Sequence, residues 1–151
     1  VHLSPVLGTD MKLPLPEDIL PHRAPMLLLD EVIEVTPERA VATRIFNSDE
    51  EFFKGHFPGD PIVPGVYLVE AMAQLMAYTQ LYQYGPHKML LAGIKSAKFR
   101  KPVLPDEKVT FVLDVLGKKM GIYKAQCEAW VDEKKVAEAE LSGSLQPIDQ
   151  D

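Results

Sequence analysis

Apolar and polar positions alternate through most of the second half of the chain. In KVTFVLDVLG, Val109, Phe111, Leu113 and Val115 fall on one side of an extended segment. GIYKAQCEAWV repeats the rhythm with Tyr123, Ala125, Cys127, Ala129 and Val131, and KVAEAELSGSL with Ala137, Ala139, Leu141 and Leu145. With MLLAGIKSAKFRKPV before them, these segments predict four strands in succession. MLLLDEVIEV and RAVATRIF predict two earlier strands, joined by a turn at Thr36–Pro37–Glu38. Between the two sets the rhythm changes. From Val66 to about Tyr84 the chain is apolar on nearly every side and rich in alanine, leucine and methionine, and Gly85–Pro86 ends the run. That is one long helix. A helix apolar nearly all round must be enclosed by its fold. Two strands, a buried helix and four strands predict an α+β domain in which a curved antiparallel sheet wraps one central helix. The small residues of the last strand would let the helix approach closely.

The remaining segments read as connections. LPLPEDILPHRAP has room for one helical turn at Glu17–Leu20, and SDEEFFKG for another with Ser48 or Asp49 as its cap. Gly55–Gly65 cannot be regular, because Pro58, Pro61, Pro64 and three glycines interrupt any ladder or helix. A single domain is expected over 13–147, with a loose leader at 1–12 and a polar tail at 148–151. Met11 is a candidate native start.

Composition narrows the picture. A chain of 151 residues that is 46% hydrophobic can bury one sizeable core. Glu70, Gln74 and Gln80 break the longest apolar stretch before it reaches a membrane span, and the start lacks a basic segment followed by an apolar one. The single cysteine, Cys127, allows no internal disulfide and suits a reducing, cytoplasmic setting, and its place in the alternation makes it a core residue. A net charge of −6 argues against a general nucleic-acid binder. Lys95, Lys98, Arg100 and Lys101 nonetheless cluster in KSAKFRK, as either a solvated strand edge or a dock for an acidic partner. His2, His22, His56 and His87 are scattered without metal-ligand spacing, so no metal is expected, and no nucleophile-elbow motif is present.

One stretch carries candidate chemistry: GHFPGDPIVPGVYLVEAMAQ. His56 sits in the stiff loop. Gly65 opens the helix, whose first-turn amides lack internal partners and favour developing negative charge. Glu70 is a carboxylate in the second turn. Imidazole can remove a proton beside a thioester carbonyl, the amides can hold the enolate-like oxygen, and a carboxyl in an apolar site keeps its proton and can act as an acid. Together they suit loss of water from a β-hydroxyacyl compound. The plainer readings are a turn histidine and a glutamate that is exposed, paired with a lysine, or satisfied by Gln74 one turn later.

LPHRAPMLLLDEV, GHFPGDPIVPGVYLVEAMAQ, and AGIKSAKFRKPVLPDEKV with VAEAEL are similar to blocks of the β-hydroxyacyl-acyl-carrier-protein dehydratases of type II fatty-acid synthesis. The resemblance covers nearly all of Leu20–Leu145. It implies a hot-dog fold and a lyase that converts (3R)-3-hydroxyacyl thioesters to trans-2-enoyl thioesters. His56 would be the base at the α-carbon, Glu70 the acid toward the β-hydroxyl, and the Gly65 amide the oxyanion donor. Phe53, Phe57, Ile62 and Val63 become candidates for an acyl tunnel, or for ordinary core. Lys98, Arg100 and Lys101 become candidates for docking acyl carrier protein. No metal, flavin or nicotinamide is implied. The resemblance also implies a homodimer, and dimers joined into hexamers, with each site taking its histidine from one subunit and its carboxylate from the other. Sister dehydratase-isomerases usually carry Asp where this chain has Glu70, which favours simple dehydration. The departures are Met89 and Leu90, where some members have tyrosines near the tunnel mouth, and Met26, where an aromatic is common. The rival expectations are a hot-dog thioesterase, which would need a water-activating carboxylate instead of this pair, and a non-catalytic acyl-binding or regulatory protein.

Overall fold

The computed structural model describes residues 12–148. The leader expected before them and the last residues of the tail lie outside the described residues. A short helix α1 (Pro16–Ile19) precedes strands β1 (Glu31–Val35) and β2 (Arg39–Ile45). A 3-10 turn (Glu51–Lys54) and the proline-glycine loop lead into helix α2 (Gly65–Tyr84). Strands β3 (His87–Phe99), β4 (Lys108–Lys119), β5 (Ile122–Val131) and β6 (Lys134–Pro147) follow.

The six strands form one sheet in the order β1-β2-β4-β5-β6-β3, antiparallel throughout. The sheet curls round α2, which touches β2, β3, β4, β5 and β6. Helix residues Leu68, Met72, Leu75 and Met76 meet the inward set of the strands, including Phe111, Leu113, Cys127 and Ala139, in one core. The alternation predicted for β4 to β6 is the observed burial pattern, and Cys127 is fully buried. That burial pushes its thiol far above the ordinary range, leaving it inert. Small side chains on β6, Ala137 and Ala139, are fully enclosed on the core side.

The helix starts at Gly65, one residue before the expected Val66, and Gly85 ends it at φ +84°, a conformation open to glycine. Three local expectations need correction. Met26–Asp30 is not strand, because the Leu28 amide donates to Gln74 Oε1 of the helix and the Asp30 carboxylate accepts from the Ile45 amide. The backbone there is docked on α2 instead of paired along its length. The first helical turn is Pro16–Ile19 and not Glu17–Leu20. Neither Ser48 nor Asp49 caps the 3-10 turn. The residue before it is Glu50, whose carboxylate accepts from the Asn47 amide, and the Ser48 amide donates to Asp106.

Candidate active site

The His56 loop is held by its own backbone. Phe57 and Asp60 exchange N–H to carbonyl bonds at 3.0 and 2.8 Å around Pro58–Gly59, where Gly59 takes φ +76°. The Ile62 amide donates to His56 O at 3.0 Å, and the Val63 amide to Val103 O at 2.8 Å. His56 Nδ1 lies 2.9 Å from Ile62 O. A carbonyl only accepts, so Nδ1 carries a proton and is the donor in this contact. The imidazole is also stacked on Phe57, with centroids 4.0 Å apart. The result is a ring held in a fixed orientation, with Nε2 outside that bond.

Helix α2 starts beside this ring. Pro64 precedes it without a side-chain cap, and the Tyr67 amide is satisfied by Pro64 O. No acceptor among the described residues takes the amide hydrogens of Gly65 and Val66. A glycine is required at 65, since a Cβ there would lie 2.9 Å from the Phe99 ring. His56, Gly65, Val66 and Phe99 border a cavity of about 420 Å³, and Ile62 and Val63 are in its wall. The exposed Arg100 and Lys101 line it too.

Glu70 is half-buried, and its Oε2 accepts from Gln74 Nε2 at 3.0 Å. Gln74 is itself locked: Nε2 also donates to Met26 O at 2.7 Å, and Oε1 accepts from the Leu28 amide at 2.8 Å. Its amide therefore cannot flip, and it presents a donor to Glu70. Glu70 does not line the His56 cavity. It borders a cavity of about 170 Å³ with His22, Ala73 and Met89, and another of about 520 Å³ with Met26, Phe52 and Tyr67. The sequence reading brought loop, helix start and carboxylate together at one end of the helix. Within one chain only the first two meet. Five residues at 3.6 per turn put Glu70 about 140° round the axis from Gly65.

The other candidates divide. Phe57 covers one face of His56 and is itself half exposed. Phe53 is a core residue against Phe52 and borders neither the His56 cavity nor the two beside Glu70. Arg100 pairs with Glu138 at 2.7 Å. Hydrogen bonds from Lys135 and then Arg100 hold the Glu138 carboxyl below its usual range. Lys98 and Lys101 are exposed and have no ion-pair partner among the described residues. Lys98 does not border the His56 cavity. The Gln74 bond to Glu70 is the one the plainer reading of that glutamate expects, while the locking of Gln74 by the Met26 and Leu28 backbone, the ring of Phe99 over Gly65 and the presence of His22 beside Glu70 are not foreseen. The one available signal was a glutamine a turn after the only carboxylate of an apolar helix. Among the described residues no group of three or more His, Cys, Asp or Glu could hold a metal ion.

Residues 20–140 match the model of the FabA-like domain. The 3-hydroxyacyl-[acyl-carrier-protein] dehydratase FabZ of Syntrophobacter fumaroxidans is 40% identical over 129 residues, covering 83% of this chain and 88% of the relative. The enzyme of the same name from Koribacter versatilis is 43% identical over 135 residues, covering 87% and 86%. A chain of the dehydratase heterocomplex ApeI:P from Xenorhabdus doucetiae shares the fold, with a TM-score of 0.78 at 18% identity over 91% of this chain and 94% of that one. With a sheet wrapped on one helix, a histidine loop at the helix start and a clamped glutamate on its second turn, the chain belongs to the FabA-like family, among dehydratases of the FabZ type.

Proposed function

We propose that this protein dehydrates (3R)-3-hydroxyacyl chains carried on acyl carrier protein, in fatty-acid biosynthesis, within a homodimer whose sites are shared. His56 Nε2 takes a proton from C2 of the thioester. The electron pair moves toward the carbonyl, and the Gly65 N–H receives the negative charge on oxygen. Glu70, as the carboxylic acid, gives its proton to the C3 hydroxyl, which leaves as water. The pair returns to form the C2–C3 double bond, leaving a trans-2-enoyl thioester. A proton then passes back from His56 to Glu70, through solvent, and both groups are reset. No electrons leave the substrate, so the step itself calls for no redox partner.

The observation that carries this reading is the division of the site. One chain provides the oriented base and the amide in one cavity and the clamped acid in others. Between them runs an uncovered apolar surface on the edge strand β3, where Leu90, Leu91, Ile94 and Phe99 are about half exposed. A second copy seated two-fold on that edge brings its Glu70 to this chain's His56. Arg100 and Lys101 beside the His56 cavity suit an acidic carrier protein delivering its chain there. Dimers joined into hexamers are consistent with the family. No helix among the described residues is long and apolar enough to cross a membrane, and we assign the protein to the cytoplasm.

The test is turnover of 3-hydroxybutanoyl carrier protein, followed at the enoyl absorbance. The intact protein should form enoyl product, and His56→Ala should lose it while melting near the parent temperature, since the ring lies in a loop. A folded His56→Ala protein with near-normal rate would remove the base. Release of free thiol without an enoyl product would favour the thioesterase instead.

A further inference from the structure

We propose that Arg44 is a positioning residue that anchors the support of the base and the support of the acid at once, so that one side chain serves both sites of the dimer. The inference deepens the dehydratase reading and rests on its division of the site, in which His56 and Glu70 of one chain work in different sites. Arg44 borders none of the three cavities around these two residues, so it acts through other groups. It lies near the end of β2, with its side chain 12% exposed. Nη1 donates to Asp30 Oδ1 at 3.1 Å, and Nη2 to Glu50 Oε1. The guanidinium also lies over the Phe46 ring, 4.7 Å from its centroid. A planar fork can hold two carboxylates in fixed directions, which a lysine cannot. Nε is buried without a hydrogen-bond partner. An unpaired buried donor costs stability, and a guanidinium aimed to span two carboxylates leaves one so.

Each carboxylate belongs to one support. Asp30 ends the segment docked on α2. Its Oδ2 accepts from the Ile45 amide at 2.7 Å, and its own amide donates to Thr43 O at 2.9 Å. Earlier in that segment, Met26 O and the Leu28 amide hold Gln74, which donates to Glu70. Glu50 begins the other support. Its Oε2 accepts from the Asn47 amide at 2.6 Å, and its carbonyl accepts from the Phe53 amide at 3.2 Å, which opens the 3-10 turn. Gly55 and His56 follow that turn directly. Phe52 of the turn meets Phe46 and Tyr67 edge-on, with centroids 6.1 and 4.8 Å apart. Bonded and packed groups thus run without a break from Gln74 through Arg44 to the residue before His56, which is the physical requirement for one residue to act on both. Removing the guanidinium would free both supports from β2 and leave two carboxylates without this cation.

The experiment puts Arg44→Met on one kind of chain at a time. In a dimer refolded from His56→Ala and Glu70→Ala chains, the complete site takes its base from the Glu70→Ala chain and its acid from the other. Arg44→Met on the Glu70→Ala chain therefore disturbs the support of the base alone, and on the His56→Ala chain that of the acid alone. Misplacing a group by 1 Å costs about a hundredfold, so each placement should lower kcat by about tenfold to a hundredfold. KM should stay within about twofold, because Arg44 does not touch substrate. Loss in one placement only, or in neither, would overturn the common anchor. Hydrogen exchange reads it without turnover. In Arg44→Met dimers the Leu28 and Ile62 amides should exchange at least about tenfold faster than in the parent, while the amides of β5 keep their rates. Unchanged exchange at either amide would also overturn it. If Arg44→Met dimers do not form, Asp30→Asn and Glu50→Gln cut one arm each and keep its shape. The first should speed exchange at Leu28 alone and the second at Ile62 alone, and any other pattern would overturn the anchor. A mixture with Arg44 intact that recovers no activity counts against the shared site alone, while exchange still decides the anchor.

Discussion

The two edges of the sheet are built differently. Strand β1 is five residues long, carries Glu31 and Glu34, and has a register shift between Val32 and Glu34. Short length, charge and irregular pairing are the devices by which an edge avoids a partner. Strand β3 is 13 residues long and turns large apolar side chains outward, with Leu90 at 53% and Phe99 at 51% exposed. A lone chain has no use for such an edge. The difference supports the proposal that β3 is the edge that receives another copy. The same edge holds Phe99 over Gly65 and Met89 beside Glu70, so it runs past both halves of the proposed site.

The sharpest way to break this contrast is charge on one edge at a time. Leu91→Glu with Ile94→Glu should convert dimers to monomers by light scattering and lower turnover by more than about a hundredfold, the scale of losing a general acid or base from the site. Ile33→Glu on β1 should leave both within about twofold. Equal damage from the two edges would end the distinction. Comparable in size is Glu70→Gln, which keeps a hydrogen-bonding shape but gives no acid proton. Turnover should fall by about two to four powers of ten with the dimer intact. A retained rate would move the acid role elsewhere. The smallest effect is at the His56 side. Charge reversal at Arg100 and Lys101 should slow carrier-protein substrates several-fold more than small thioesters, and less so in high salt. Equal losses on both would make the cluster a plain solvated edge.

Much of the fold is legible in the sequence, for identifiable reasons. Helix α2 was legible to within a residue because Pro64 and Gly85 bound it and its composition favours helix throughout. Strands β4 to β6 were legible because each buries one face, so the period of two shows. Met26–Asp30 misled because an apolar run docked on a helix has the same letters as a buried strand. The exposed apolar face of β3 could be given no meaning from its own letters. It matters only because β3 pairs with β6 and ends the sheet, and strand order is not a local property. Phe53 reads as tunnel or core equally well, and only its burial against Phe52 places it in the core. The separation of Glu70 from His56 is a matter of helical angle, which a linear motif conceals.

The most direct test of a shared site uses two dead proteins. Denatured His56→Ala chains and Glu70→Ala chains are mixed in equal amounts and refolded, with mixed dimers confirmed by mass. Random pairing makes about half the dimers mixed, each with one site that has both groups and one that has neither. A shared site should return about a quarter of the parent activity. If both residues of a site came from one chain, every site would still lack one of them, and a refolded mixture as inactive as its parents would contradict the account.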